Sequence, residues 1–155
     1  MDYPKYELSA STDNLVFKFV SNGTNGDIPK AIVYKITDNE NIYNLGFGDV
    51  ISIDPITGEL NLDDLVESKN GDMEKIIATV AHSAYIFSKK YPDRLIFFRG
   101  STPVRTRLYR SAISREFEEL SKTFEIYGAE IKNGEVINVS FNNNKNFFGF
   151  YIKRK

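Results

Sequence analysis

Arg94-Leu-Ile-Phe-Phe-Arg-Gly-Ser-Thr-Pro-Val-Arg-Thr-Arg-Leu-Tyr-Arg110 switches backbone period partway along, and its reading decides the fold. Arg94 to Arg99 reads as a short, largely apolar strand of the kind buried on both faces. Gly100 then turns the chain. Thr102 offers an N-cap oxygen and Pro103 suits the first helical position, so a helix is predicted to begin there. Its apolar stripe is Thr106, Tyr109, Ile113, Phe117, Leu120 and Phe124. Arg105 and Arg110 flank that stripe, while Arg107 points away from the core.

Outward from this strand-turn-helix unit the chain keeps the same two periods. Upstream, Met73, Ile76, Ile77, Val80, Ala84 and Phe87 share one helical face behind Asn70-Gly71-Asp72, which can supply a cap. That helix stops near Tyr91-Pro92. Before it, Tyr6 to Ala10, Leu15 to Ser21, Ala31 to Thr37 and Ile42 to Ile53 read as strands, with a hairpin tip over Asn22 to Asp27. Asp54-Pro-Ile-Thr-Gly58 is a turn with glycine at its left-handed position, leading into a short strand from Glu59 to Leu62. Downstream, Phe124 to Ala129, Glu135 to Phe141 and Phe147 to Ile152 are strands, parted by Lys132-Asn-Gly134 and by Asn142 to Asn146. The order is roughly β-β-β-β-α-β-α-β-β: an α+β fold with an antiparallel or mixed sheet and two main helices, in one domain spanning residues 1–155.

Composition bounds the chemistry. A chain of 155 residues with 41% apolar content builds its own core without staples. It has no cysteine, which removes disulfides, thiolate metal sites and thiol nucleophiles and fits a reducing compartment. Met1 to Glu7 has an early acid and no apolar run, unlike a secretory signal. The longest uncharged helical stretch, Ile76 to Ser88, falls short of the roughly 20 residues that span a bilayer. The expectation is a soluble, cytoplasmic protein with no membrane association.

Charge is unevenly spread. Lys89 to Arg115 holds eight basic residues and one acid, Asp93, whereas Asp38 to Glu74 holds ten acids against Lys69 alone. Within the basic stretch, Arg99, Arg105, Arg107 and Arg110 surround a helix start, whose partial positive charge opposes arginine by about 0.3 to 1 kcal/mol each. An anion relieves that conflict. The unpaired amides of the corner, the Ser101 and Thr102 hydroxyls and the forks of Arg99 and Arg105 make a phosphate or carboxylate site. The candidate anion-binding residues are therefore Arg99, Gly100, Ser101, Thr102, Arg105, Arg107 and Arg110. The competing reading is that Ser101 and Thr102 only cap the helix and the arginines bridge to Glu116 or to the acidic segment.

Catalytic patterns are mostly excluded. The phosphate-binding Gly-x-x-x-x-Gly-Lys pattern is absent, Gly46-Phe-Gly48 lacks the third glycine of a dinucleotide fingerprint, and no cofactor is implied. His82, the only histidine, lies opposite the first helix's apolar stripe and is expected to be exposed, so no histidine-rich metal site can form. The acidic pairs Asp63-Asp64 and Glu118-Glu119 project differently and suit solvated faces. One enzymatic alternative needs neither histidine nor cysteine: metal-independent RNA cleavage with Tyr109 and Arg105 as catalytic candidates. Tyr109 sits on the apolar stripe, which favours a core role.

Asn41-Ile-Tyr-Asn-Leu-Gly-Phe-Gly-Asp49, Asn70-Gly-Asp-Met-Glu-Lys75 with Ala78-Thr-Val80, and above all Phe97-Phe-Arg-Gly-Ser-Thr-Pro-Val-Arg-Thr-Arg-Leu-Tyr-Arg110 make the chain resemble a family of small bacterial proteins of unknown function. The resemblance spans nearly the full length and implies a self-contained bacterial domain, with no activity or cofactor to transfer. Three functions remain open. The leading one is binding of a phosphate-bearing ligand, above all nucleic acid. The others are a ribonuclease acting as the toxin of a toxin-antitoxin pair, and an interaction module or homodimer in which acidic and basic surfaces meet.

Overall fold

The computed structural model describes residues 4–63 and 70–155. Along them run β1 (Ser9–Ala10), β2 (Val16–Gly23), β3 (Gly26–Ile36), β4 (Ile42–Ile53), β5 (Leu60–Asp63), α1 (Met73–Lys90), β6 (Leu95–Phe98), α2 (Pro103–Arg115), α3 (Phe117–Leu120), β7 (Phe124–Lys132), β8 (Glu135–Ser140) and β9 (Gly149–Arg154). The strands lie in the order β1-β2-β3-β4-β6-β9-β7-β8, with β5 paired to β4. β4 and β6 are parallel, as a connection through a helix allows, while β6–β9, β7–β9 and β7–β8 are antiparallel. The class is α+β with a mixed, mostly antiparallel sheet, as the sequence indicates. Of the N-terminal residues and the acidic segment discussed above, Met1 to Tyr3, Asp64, Glu67 and Lys69 lie outside the described residues.

Two compact units divide the chain, one from the described parts of Asp2–Tyr34 and Gly46–Phe87, the other from Lys35–Leu45 and Ser88–Lys155. In the first, β2 and β3 pair up to Gly23 opposite Gly26, so the hairpin tip is Thr24-Asn25, tighter than the Asn22 to Asp27 tip predicted. Buried Asn70 holds this tip. Its Oδ1 accepts the Asn25 amide at 2.6 Å and its Nδ2 donates to the Gly26 carbonyl at 2.9 Å. A Cβ on Gly23 would fall 2.0 Å from the Asn70 carbonyl oxygen, so only glycine fits there. Asp72 starts α1 with its carbonyl, which accepts the Ile76 amide at 2.9 Å, while its carboxylate accepts the Tyr6 and Ser21 hydroxyls.

The buried face of α1 differs from the predicted stripe. Ile76, Ala84 and Phe87 are buried as expected, but Met73 is 47% exposed and Thr79 and Ser83 are fully buried. Each hydroxyl donates to its own helix, Thr79 to the Lys75 carbonyl and Ser83 to the Val80 carbonyl. That leaves their oxygens to accept, from the Tyr6 amide and the Tyr34 hydroxyl, both at 2.8 Å. Satisfied in this way, small polar residues enter a core that apolar periodicity would not assign to them. Tyr34 also stacks on Phe87 at 4.2 Å. His82 is half-buried, contrary to the exposed position predicted, and its Nδ1 is buried with no partner among the described residues.

In the second unit the core centres on Ile113, Phe147 and Phe150, packed with Phe98, Tyr109, Ile126, Val139 and Phe141. Gly128 makes room for the Phe147 ring: a Cβ there would lie 2.3 Å from it. Two predicted boundaries move. α2 closes where the Glu116 amide donates to the Ala112 carbonyl, and α3 restarts at Phe117, so the stripe read through to Phe124 is broken. Phe117 is 40% exposed and stacks on Phe141, and Phe124 instead opens β7, where it is buried. Phe147 and Phe148 lie ahead of β9 rather than inside it, because Phe147 is drawn into the space above Gly128.

Candidate anion-binding site

β6 delivers the chain to the site with Ile96 fully buried and its partners Tyr43 and Ile152 on either side. The next two residues make the corner. Gly100 must be glycine, because a Cβ would come within 2.5 Å of the Arg105 Cβ and the Thr106 nitrogen. Its amide donates to the Thr106 Oγ1 at 3.0 Å, which locks the corner against the first turn of α2. Thr102 is the N-cap, with extended backbone, its Oγ1 accepting the Arg105 amide at 3.2 Å, and Pro103 follows in the first turn. Sequence and structure agree here. Two of the hydrogen-bonding groups counted for an anion, the Gly100 amide and the Thr102 hydroxyl, are thus engaged in building the corner.

The arginines are held differently. Arg105 Nη1 donates to the Ser101 Oγ at 2.9 Å, so the serine orients the guanidinium across the helix start. Arg99, exposed, lays its guanidinium over the Phe148 ring at 3.8 Å. Arg110 Nη1 donates to the Asn146 Oδ1 at 2.5 Å. Arg107 is exposed and makes no hydrogen bond, ion pair or ring contact among the described residues. Arg99, Arg107 and Arg110 accordingly have no carboxylate partner among the described residues, and α2 has no acid in its first turn. Arg115 is different: it lies 3.8 Å from Glu116, the partner that the competing reading named, at the favourable C-terminal end of the helix.

Several acids of the negative segment are used within their own unit. Asp49 pairs with buried Lys30, and the Asp54 carboxylate accepts the Ile56 and Thr57 amides, which hold its pKa below the usual carboxylate value. Asp72 holds Tyr6 and Ser21.

Tyr109 is half-buried, edge-on to Phe98 at 6.1 Å, and part of the core cluster. That packing gives its ring a structural role.

Sequence reasoning missed the loop before β9. Asn146 and Phe148 stand two residues apart and hold Arg110 and Arg99 respectively, which draws both arginines to one short segment. Asn142-Asn-Asn-Lys-Asn-Phe-Phe148 was readable as a polar tip ending in aromatics, but nothing in its spacing linked it to the arginines.

Residues 2–155 match the model of a family described as "Family of unknown function (DUF6934)". No curated protein and no solved structure matches the chain.

Proposed function

The chain belongs to the DUF6934 family, and we propose, from the arginines at the start of α2, that it binds a phosphate-bearing ligand there, nucleic acid above all. The observation that carries this reading is the set of three guanidinium groups, Arg99, Arg107 and Arg110, with no carboxylate partner among the described residues. Arg105, whose guanidinium donates to Ser101, is a fourth arginine of the same strand-turn-helix unit. A strand of phosphates meets several forks at once, whereas a small carboxylate meets one or two. Arginine is suited to this because its planar fork engages phosphate oxygens in pairs.

The test is fluorescence anisotropy of the whole chain with a labelled twelve-nucleotide strand at low salt. The reading expects saturable binding that weakens when Arg105 and Arg107 are changed to alanine. Absence of binding by the folded protein, or binding indifferent to those two changes, refutes it.

A further inference from the structure

We propose that the sheet face of the second unit bearing Phe97, Tyr151 and Tyr127 is a base-stacking platform for single-stranded nucleic acid. This rests on the reading of the arginine site and specifies the form of its ligand. The register aligns the three rings. Asn44 pairs with Phe97, Phe97 with Tyr151, Tyr151 with Tyr127, and Tyr127 with Ser140, a single row across β4, β6, β9, β7 and β8. Cross-strand partners share a face, so the three aromatic side chains stand side by side on neighbouring strands about 4.8 Å apart. The ends of the row, Asn44 and Ser140, are exposed, and the rings between them are half-buried.

The opposite face is the one that packs. Phe98, Phe150 and Gly128 align in the adjacent row and meet the core cluster beneath α2. Along β8 the alternation is explicit: Val136, Asn138 and Ser140 are exposed, whereas Ile137 and Val139 are half-buried. Aromatic rings on the core face need no explanation beyond packing. A row of three on the other face does, because strand surfaces open to water are ordinarily polar.

The cation beside Phe97 selects the occupant, while the Tyr127 hydroxyl is held by the Glu125 carboxylate at 2.9 Å on the same strand. Phe97 packs against Tyr151 with ring centroids 5.0 Å apart and planes tilted by 46°, and lies nearly parallel to Phe148 at 6.2 Å and 21°. Arg99 covers Phe148. Phe148 therefore joins Phe97 to the Arg99 guanidinium of the anion site, so a strand whose bases stack on the rings brings its phosphates toward Arg99. Bases stack on aromatic side chains through a face that all four share, which gives affinity with little sequence preference. A duplex keeps those faces inside its own stack and cannot offer them, so the ligand is a single strand.

The test compares twelve-nucleotide single strands of uridine or thymidine with a duplex of the same length, using the full chain. Tyr127→Thr and Tyr151→Thr, which suit a strand, are expected to raise Kd by about 5- to 150-fold per ring while leaving the salt dependence unchanged, because no charge is lost. Tyr127→Phe and Tyr151→Phe keep the rings and are expected to bind as the parent does, which separates stacking from folding. Circular dichroism verifies the fold of each variant.

Parent-like binding by folded Tyr→Thr variants, with weakened binding by the arginine variants, overturns the platform and leaves the anion site standing. Loss in the ring variants without any loss in the arginine variants overturns the anion site and with it the path proposed between the two. Equal affinity for duplex and single strand overturns the platform. So does a sedimentation result in which the parent is a dimer that the Tyr→Thr changes dissociate, since a second copy would then cover the rings.

Discussion

Replacing Arg107 and Arg110 together with alanine isolates the electrostatic part of binding, and its size follows from the geometry. Neutralising one phosphate of a single strand contributes about −0.7 to the slope of log K against log salt concentration. If Arg99, Arg105, Arg107 and Arg110 each meet a phosphate, the parent slope is about −2.8, and affinity falls roughly 50-fold between 50 and 200 mM salt. The double variant keeps two forks, so its slope is about −1.4 and the same salt step costs only about sevenfold. Stability is expected to fall by no more than about 1 kcal/mol, because Arg107 is exposed and Arg110 gives up one hydrogen bond, to the exposed Asn146. Anisotropy titrations at four salt concentrations give both slopes, and a urea melt gives the stability. Equal slopes for parent and variant would refute the assignment of these side chains to phosphates, whatever the affinities.

Gly128→Ala puts a methyl carbon 2.3 Å from the buried Phe147 ring and is expected to destabilise by about 1 to 3 kcal/mol; an unchanged urea midpoint would contradict the packing described. Thr102→Ala removes the N-cap acceptor of the Arg105 amide and is expected to cost about 1 kcal/mol, with Thr102→Ser recovering most of it in a thermal melt. Burial, and then the charge of Lys5, hold the His82 pKa below the ordinary imidazole value. The unfolded chain therefore binds more protons than the folded one once the pH drops below about 6.5, so stability is full above that value and declines as the pH falls through the folded pKa. Urea midpoints from pH 8 to pH 5 are expected to show this decline in the parent and a flatter profile in His82→Gln; parallel profiles would remove His82 as its source.

Legibility in the sequence followed the strength of local rules. Thr102-Pro103 and Asn133-Gly134 were readable because each residue type suits one backbone geometry: an extended cap before a fixed φ, and a tip with Asn133 at φ 53° and Gly134 at φ 79°. The strand read over Arg94 to Arg99 was found from its apolar run, though it spans only Leu95 to Phe98 and buries Ile96 alone rather than both faces. The face of α1 was not, because Thr79 and Ser83 enter the core only through partners, Tyr6 and Tyr34, that are remote in sequence. The break at Glu116 was hidden for a related reason: Phe117 and Leu120 keep the 3.6-residue spacing after the helix has closed. At the site, the arginines were visible as a cluster of charge, but Asn146 and Phe148 were not, since only the pairing of β6 with β9 brings that loop to Arg99. The aromatic row was equally hidden, because it exists in the register of three strands and not in any one of them.

The most direct measurement is a proton-nitrogen correlation spectrum of the 17.7 kDa chain titrated with a short thymidine strand. The account predicts saturable shifts concentrated at the amides of Thr102, of Val104 to Arg107 and of Asn146 to Phe148, together with those flanking Phe97 and Tyr151. Saturable shifts confined to other surfaces, with these amides unmoved, would contradict it.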